Sequence, residues 1–216
     1  PGVDTFLSVY LPWLKKQHAT VIANIAGNTV EDYCALAEKL NQSNVDMIEL
    51  NISCPNVKHG GGNFGTSTQS VAEVTSQVKR RCQKPLMVKL TPNVTSIGAL
   101  SLINTLTGMR VDINTRRPML RNNTGGLSGP AIFPVAVRMV HEVYKRVKIP
   151  VIGMGGISTW EDATEMMIAG ACAVQVGTAN FHDPFACIKI IEGLERFADS
   201  LGLNSITELT GTLQEW

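Results

Sequence analysis

The 216-residue chain is 44% hydrophobic and 17% charged, with 19 basic residues against 18 acidic and a net charge of +1, which suits one globular domain and carries no electrostatic footprint for nucleic acid. Five scattered cysteines (Cys34, Cys54, Cys82, Cys172, Cys187) include no Cys-x-x-Cys pair, so they read as intracellular thiols rather than a metal or disulfide framework. No apolar run approaches the roughly 20 residues of a membrane span, and the opening Pro-Gly-Val-Asp lacks signal-peptide character, which points to a cytoplasmic protein acting on a small molecule.

Short apolar runs alternate with amphipathic segments along the whole chain, the pattern of βαβ units and a parallel sheet. A helix-like stretch from Val3 to Lys16 feeds a first strand over Thr20 to Asn24. Asn28 with Glu31 has capping-box spacing for the next helix, strand Asp46 to Asn51 follows, and Val71, Val74 and Val78 form one helical stripe before strand Leu86 to Leu90. A fourth strand is predicted over Leu100 to Asn104. Pro134 suits a first helical turn, and Ala136, Val140, Val143 and Val147 share the face that follows. Strand Pro150 to Met154 leads to Ser158 with Glu161, a second capping-box spacing, and then to strand Ala173 to Gly177. Pro184 opens the last long helix, with Ile190, Ile191, Leu194 and Phe197 on one side, and Ser205 with Glu208 repeats the capping signal.

This alternation predicts a TIM-type (β/α)8 barrel forming one domain over residues 1–216. A closed barrel needs eight strands and about 250 residues, so the first two βα units are expected upstream of Val3. Only nine residues separate Leu90 from Leu100, fewer than the roughly 10 to 12 that a parallel crossover requires. A crossover helix is therefore expected to be missing near Ile97, Gly98 and Ala99.

Barrels carry their chemistry at the C-terminal ends of the strands. There the sequence sets Asn24, Asn51, Asn56 and Asn104, amides able to read a flat ring with alternating carbonyl and N–H groups. Taken singly, each could equally be a turn or capping residue. Gly155-Gly156 and Gly177-Thr178 follow the last two strands, where backbone N–H groups can cradle a phosphate, and the Gly125-to-Gly129 run offers a third such set. Lys89 closes an apolar strand, where it either pairs with a neighbouring carboxylate or stabilises negative charge on a bound cofactor. Cys54 lies after a strand beside the glycine-rich Lys58-to-Gly65 segment, which could close over it as a lid. As a thiolate it could accept a proton; as a thiol it could be a small buried hydrophobe. His18, His59, His141 and His182 show no metal-ligand spacing, and no metal site is expected.

Glu49-Leu50-Asn51-Ile52-Ser53-Cys54-Pro55-Asn56, Val88-Lys89-Leu90-Thr91-Pro92, Ile103-Asn104-Thr105, Gly125-Gly126-Leu127-Ser128-Gly129-Pro130-Ala131, Gly155-Gly156-Ile157 and Gln175-Val176-Gly177-Thr178 together resemble the class 1 dihydroorotate dehydrogenases. The Gly-Leu-Ser-Gly-Pro-Ala and Asn-Thr-Leu-Thr-Gly-Met runs look most like class 1B, the NAD-linked type. That resemblance implies FMN contacts from Asn24, Asn51, Lys89, Ile103, Gly129, Gly155, Gly156, Gly177 and Thr178, and orotate contacts from Asn51, Asn56, Asn104 and Thr105. It implies Cys54 as the base that takes the C5 proton of dihydroorotate while hydride leaves C6 for the flavin, giving orotate for pyrimidine synthesis. It further implies an electron-transfer subunit carrying FAD and a [2Fe-2S] cluster, in a heterotetramer around a homodimer of catalytic chains. No membrane or nucleic-acid partner is expected. The family also has upstream strands that bear cofactor and substrate contacts, so a polypeptide truly starting at Pro1 is expected to be inactive. The alternatives are a fumarate-linked class 1A enzyme, a dihydropyrimidine dehydrogenase-like module, a non-catalytic barrel remnant, or a phosphate-binding barrel isomerase.

Overall fold

The computed structural model describes residues 2–52, 68–90 and 101–216. The chain divides into two compact units, Pro1–Lys89 and Leu90–Trp216.

The first unit opens on the predicted helical stretch, α-helical over Val3–Thr5, π-helical over Phe6–Tyr10 and α-helical over Leu11–Lys16. Lys15 near its end pairs with Asp46, whose Oδ2 also accepts from the Val21 N–H at 2.6 Å. This contact ties the helix to the start of the sheet, and the Lys15 ammonium holds the Asp46 carboxyl below the usual carboxylate range. Strands β1 (Ile22–Ile25), β2 (Met47–Asn51) and β3 (Leu86–Lys89) pair in parallel, Ala23 opposite Ile48 and Leu50 opposite Val88. Because side chains alternate along a strand, Ala23, Ile25, Ile48, Leu50 and Val88 share one face and are buried there. Helix α1 (Val30–Asn41) packs over β1 and β2 and against α2 (Thr68–Arg81), burying Tyr33, Cys34, Ala37 and Leu40 from α1 and Val74 and Val78 from α2. Asn24, Glu49, Asn51 and Lys89 fall on the opposite face of these strands.

In the second unit β4 (Ser101–Leu102), β9 (Ile152–Met154) and β10 (Ala173–Gln175) also pair in parallel, with Leu102 opposite Gly153 and Gln175 opposite Met154. Helix α3 (Phe133–Tyr144) lays the buried Ala136, Met139, Val140 and Val143 toward β4 and β9. Helix α4 (Trp160–Ile168) packs against α6 (Ala186–Leu201), and the short α5 (Ala179–His182) lies between β10 and α6 in the chain. Gly193 makes the α4–α6 approach possible, since a Cβ there would lie 2.2 Å from Trp160 Cγ.

All six expected strands are present and parallel within their units, an α/β architecture. The capping boxes lie one residue later than expected at two helices. Thr29 and Asp32 cap α1, and Thr159 and Asp162 cap α4, in place of Asn28 with Glu31 and Ser158 with Glu161. Asp32 Oδ2 accepts from both Asn28 N at 2.8 Å and Thr29 N at 3.0 Å while Thr29 Oγ1 accepts from Asp32 N at 3.1 Å, so aspartate closes the reciprocal pair that glutamate was expected to make. Ser205 and Glu208 do form a capping box, on a 3-10 turn over Ile206–Leu209. Helix α3 ends at Tyr144, leaving Val147 outside it, and α6 begins at Ala186, two residues after Pro184.

Periodicity did not predict a nested antiparallel ribbon after β4. Strand β5 (Leu106–Gly108) pairs with β8 (Gly125–Leu127), and β6 (Val111–Asp112) pairs with β7 (Arg117–Pro118). Asp112 Oδ1 accepts from the N–H groups of Asn114 and Thr115 to close the tip. Among the described residues no helix is long and apolar enough to cross a membrane.

Candidate active site

In the first unit, the ends of β1, β2 and β3 carry Asn24, Asn51 and Lys89, with Asn24 opposite Glu49 and Asn51 opposite Lys89 in the strand register. Glu49 is only 5% exposed. It accepts a hydrogen bond from Asn24 Nδ2, and Asn24 Oδ1 accepts in turn from Asn51 Nδ2 at 3.4 Å. The Tyr33 hydroxyl, on α1, donates to the Asn51 carbonyl at 2.8 Å and fixes the end of β2 from behind. The Lys89 side chain is half-buried and forms no hydrogen bond or ion pair among the described residues. Of the two sequence readings, the carboxylate-paired lysine is thus not what these residues show. A half-buried ammonium of this kind is suited to an anionic ligand.

In the second unit, the loops after β9 and β10 hold the glycines. Gly155 and Gly156 take positive φ values of 122° and 80°, and Gly129, before α3, takes 90°. A Cβ on Gly156 would lie 2.7 Å from Phe133 Cβ and 2.9 Å from the Gly129 carbonyl oxygen, so the loop after β9 is pressed onto the start of α3. A Cβ on Gly129 would in turn reach Thr178 Cγ2 at 4.0 Å. Three turns thus meet. Gly155, Gly156, Gly177 and Thr178 donate their backbone N–H groups to no partner among the described residues, and a Cβ on Gly177 would meet nothing within 4 Å. Unengaged N–H groups at adjoining turns, beside open space, can hold a phosphate.

The same unit places Ile103, Asn104 and Thr105 directly after β4. Ile103 N donates to Met154 O at 2.8 Å and Asn104 N to Leu90 O at 3.2 Å. The Ile103 side chain is buried, its Cγ1 3.2 Å from where a Cβ on Gly155 would sit. Thr105 packs on the ribbon at Gly126, where a Cβ would lie 2.3 Å from Thr105 Oγ1. Each unit therefore brings its own share of the expected residues together: Asn24, Asn51 and Lys89 in the first, and Ile103, Asn104, Thr105, Gly129, Gly155, Gly156, Gly177 and Thr178 in the second. Cys54, Asn56, the Lys58-to-Gly65 segment and the Leu90-to-Leu100 crossover, apart from Leu90 itself, lie outside the described residues. Sequence reasoning missed Glu49 as part of the site. Its signal was available: two residues before Asn51 on a strand, it must share that residue's face. Among the described residues no cluster of three His, Cys, Asp or Glu is placed to hold a metal ion.

A family profile described as dihydroorotate dehydrogenase matches residues 1–198. Relatives named "dihydroorotate dehydrogenase B (NAD(+)), catalytic subunit" include that of Alkaliphilus oremlandii, 52% identical over 225 residues that cover 99% of this chain and 74% of the relative. The Petrotoga mobilis protein of the same name is 48% identical, covering 99% and 75%, and that of Geobacillus kaustophilus is 53% identical, covering 98% and 72%. The alignment to the Alkaliphilus protein spans 225 positions against 216 residues here, so that relative carries at least nine residues inside the matched span that this chain lacks. With half its residues shared across essentially its whole length, the chain belongs to the dihydroorotate dehydrogenase family.

Proposed function

We propose that this chain is the catalytic subunit of an NAD-linked dihydroorotate dehydrogenase, oxidising (S)-dihydroorotate to orotate in de novo pyrimidine synthesis. Identity of 48 to 53% over 98 to 99% of the chain to enzymes of that name is the observation that carries the reading. The residues present fit FMN. The turns at Gly155-Gly156 and Gly177-Thr178, whose N–H groups have no partner among the described residues, suit its phosphate with Gly129 beside them, and Asn24, Asn51 and Ile103 offer polar and apolar contacts of the kind a flavin ring needs. The half-buried Lys89 ammonium suits negative charge on the ring. When bound, FMN supplies the acceptor for the C6 hydride of dihydroorotate. Asn51, Asn56, Asn104 and Thr105 hold the substrate, and Cys54 removes its C5 proton.

The proposed architecture is one FMN-binding (β/α)8 barrel domain. The proposed assembly pairs a homodimer of catalytic chains with two electron-transfer subunits that carry FAD and a [2Fe-2S] cluster. The five cysteines here are too dispersed to hold such a cluster. The proposed compartment is the cytoplasm, where scattered free thiols are at home.

The test is anaerobic addition of dihydroorotate to the FMN-loaded protein, followed by flavin absorbance. Bleaching at the rate of turnover is expected, and Cys54→Ala should slow it by about 100-fold or more, the range of a general base. A flavin that stays oxidised in the parent protein, or a Cys54→Ala variant that bleaches as fast as the parent, would overturn the corresponding assignment.

A further inference from the structure

We propose that Gly126 is a positioning residue for the substrate: its bare Cα is the wall against which the Thr105 side chain is set, so that the antiparallel ribbon after β4 decides where the Thr105 hydroxyl stands. This rests on the reading above, in which Thr105 contacts orotate. Thr105 lies between the end of β4 and the first residue of β5, is half-buried, and makes no side-chain hydrogen bond among the described residues. Its hydroxyl is therefore held there by packing, with its donor and acceptors left for a ligand.

A glycine inside a strand serves a left-handed φ, a bulge or the close approach of another group. Gly126 is not among the glycines with positive φ, and β8 pairs with β5 in unbroken register, Leu106 opposite Leu127, Thr107 opposite Gly126 and Gly108 opposite Gly125. Close approach is what remains. The three atoms nearest to a Cβ on Gly126 would all belong to Thr105: Oγ1 at 2.3 Å, Cβ at 2.7 Å and Cγ2 at 3.2 Å. Turning the Thr105 side chain can move Oγ1 and Cγ2 aside, but its Cβ moves only with the backbone. That backbone is tied on both sides, by Ile103 N donating to Met154 O at 2.8 Å before it and by the β5–β8 ladder after it. A methyl group at position 126 must therefore push the ribbon and Thr105 apart. The other two ribbon glycines bear on different groups. A Cβ on Gly125 would strike Leu120 Cδ1 at 2.5 Å, the far end of a half-exposed side chain, and one on Gly108 would lie 3.6 Å from Leu127 Cβ, an ordinary contact.

The test is a double-mutant cycle, read by orotate titration of the FMN-loaded protein through flavin absorbance and by thermal unfolding of the flavin-free protein. Gly126→Ala is expected to lower the Tm and to weaken orotate binding by about 10-fold, the upper range for one hydrogen bond. It should raise the KM for dihydroorotate more than it lowers kcat. Gly108→Ala, on the paired strand of the same ribbon, is expected within about twofold of the parent in orotate affinity, as for a substitution that meets no obstruction. Thr105→Gly removes all three atoms that a Cβ at position 126 would strike, so it should weaken orotate binding by itself and yet make an added Gly126→Ala neutral, in affinity and in Tm. Parent-like orotate binding in Gly126→Ala, or the same further loss from Gly126→Ala in the Thr105→Gly background, would overturn the proposal. If Gly126→Ala alone does not fold, the double variant decides: a Tm equal to that of Thr105→Gly supports the proposal, and failure to fold overturns it. Failure of the underlying reading would show separately, as a folded, flavin-loaded Thr105→Gly variant that binds orotate as the parent does.

Discussion

Gly156 and Gly177 lie on neighbouring loops, yet alanine at the two positions should do opposite things. At Gly156 the φ of 80° and the contacts of 2.7 and 2.9 Å to Phe133 and Gly129 leave no room for a methyl group. Gly156→Ala should cost roughly 1–3 kcal/mol, which in a chain of this size lowers the Tm by several degrees even without flavin. At Gly177 a Cβ would meet nothing and the φ is not in the left-handed region. Gly177→Ala should therefore leave the flavin-free Tm within about a degree of the parent and, if the proposed phosphate site is right, weaken FMN binding, measured by quenching of flavin fluorescence, because the methyl group fills the space that the proposal gives to the phosphate. Equal loss of Tm in both variants would show that the Gly177 space is structural. Lys89 belongs to the same comparison. Its ammonium has no partner among the described residues, so Lys89→Met should spare the fold while lowering FMN affinity by about 10- to 100-fold, the range of a charge-assisted hydrogen bond of roughly 1.5–3 kcal/mol.

Among the elements, the helix caps and the Glu215 contacts carry separable contributions. Thr159 accepts from Asp162 N at 3.2 Å while Asp162 Oδ2 accepts from Thr159 N at 2.9 Å, and Thr159→Ala should cost about 1 kcal/mol in urea unfolding. Glu215 reaches back to α3, where Lys145 Nζ at 2.7 Å and His141 Nε2 at 2.8 Å press its carboxyl down to about 2. A folded-state value below the ordinary one means that the contact stabilises fully above about pH 4.5 and is lost as pH falls toward 2. The urea midpoint of the parent should therefore fall more steeply between pH 5 and 2 than that of Glu215→Gln, and parallel curves would sink the assignment. These elements also show what a sequence discloses. The buried parallel strands were legible because Ile48 and Leu50, and the run Met87–Val88, are apolar and are followed by an amide or a lysine. The caps were legible to within one residue, since Thr29–Asp32 and Asn28–Glu31 offer overlapping versions of one motif. The ribbon was not legible: strands of two or three residues, such as Val111–Asp112 with Arg117–Pro118, are set by pairing across a turn and carry no period to read. Glu49 was overlooked although legible: the face it shares with Asn51 two residues on was readable, but its apolar neighbours Ile48 and Leu50 set the strand reading.

At the scale of the whole molecule, the question is where the electrons go after orotate forms. A two-electron oxidation linked to NAD needs a path from the flavin to the nicotinamide, and an iron–sulfur centre on that path needs closely set thiolates. Within these 216 residues the cysteines fall at positions 34, 54, 82, 172 and 187, and Cys34, buried in α1, has its thiol pushed up by burial, the wrong direction for a ligand. On the proposed reading this chain reduces its own flavin, and a cluster on the partner subunit carries the electrons on. FMN-loaded catalytic chain, assayed with dihydroorotate, should reduce an artificial dye in the absence of any other protein and reduce NAD+ at least tenfold faster once an electron-transfer subunit from a close relative is added. Dye reduction is expected to survive without that subunit, because the proposed site places proton removal and hydride departure on this chain. NAD+ reduction by the isolated chain at the rate of dye reduction would mean that the nicotinamide reaches the flavin directly, and the two-subunit scheme would fail while the dihydroorotate chemistry stood.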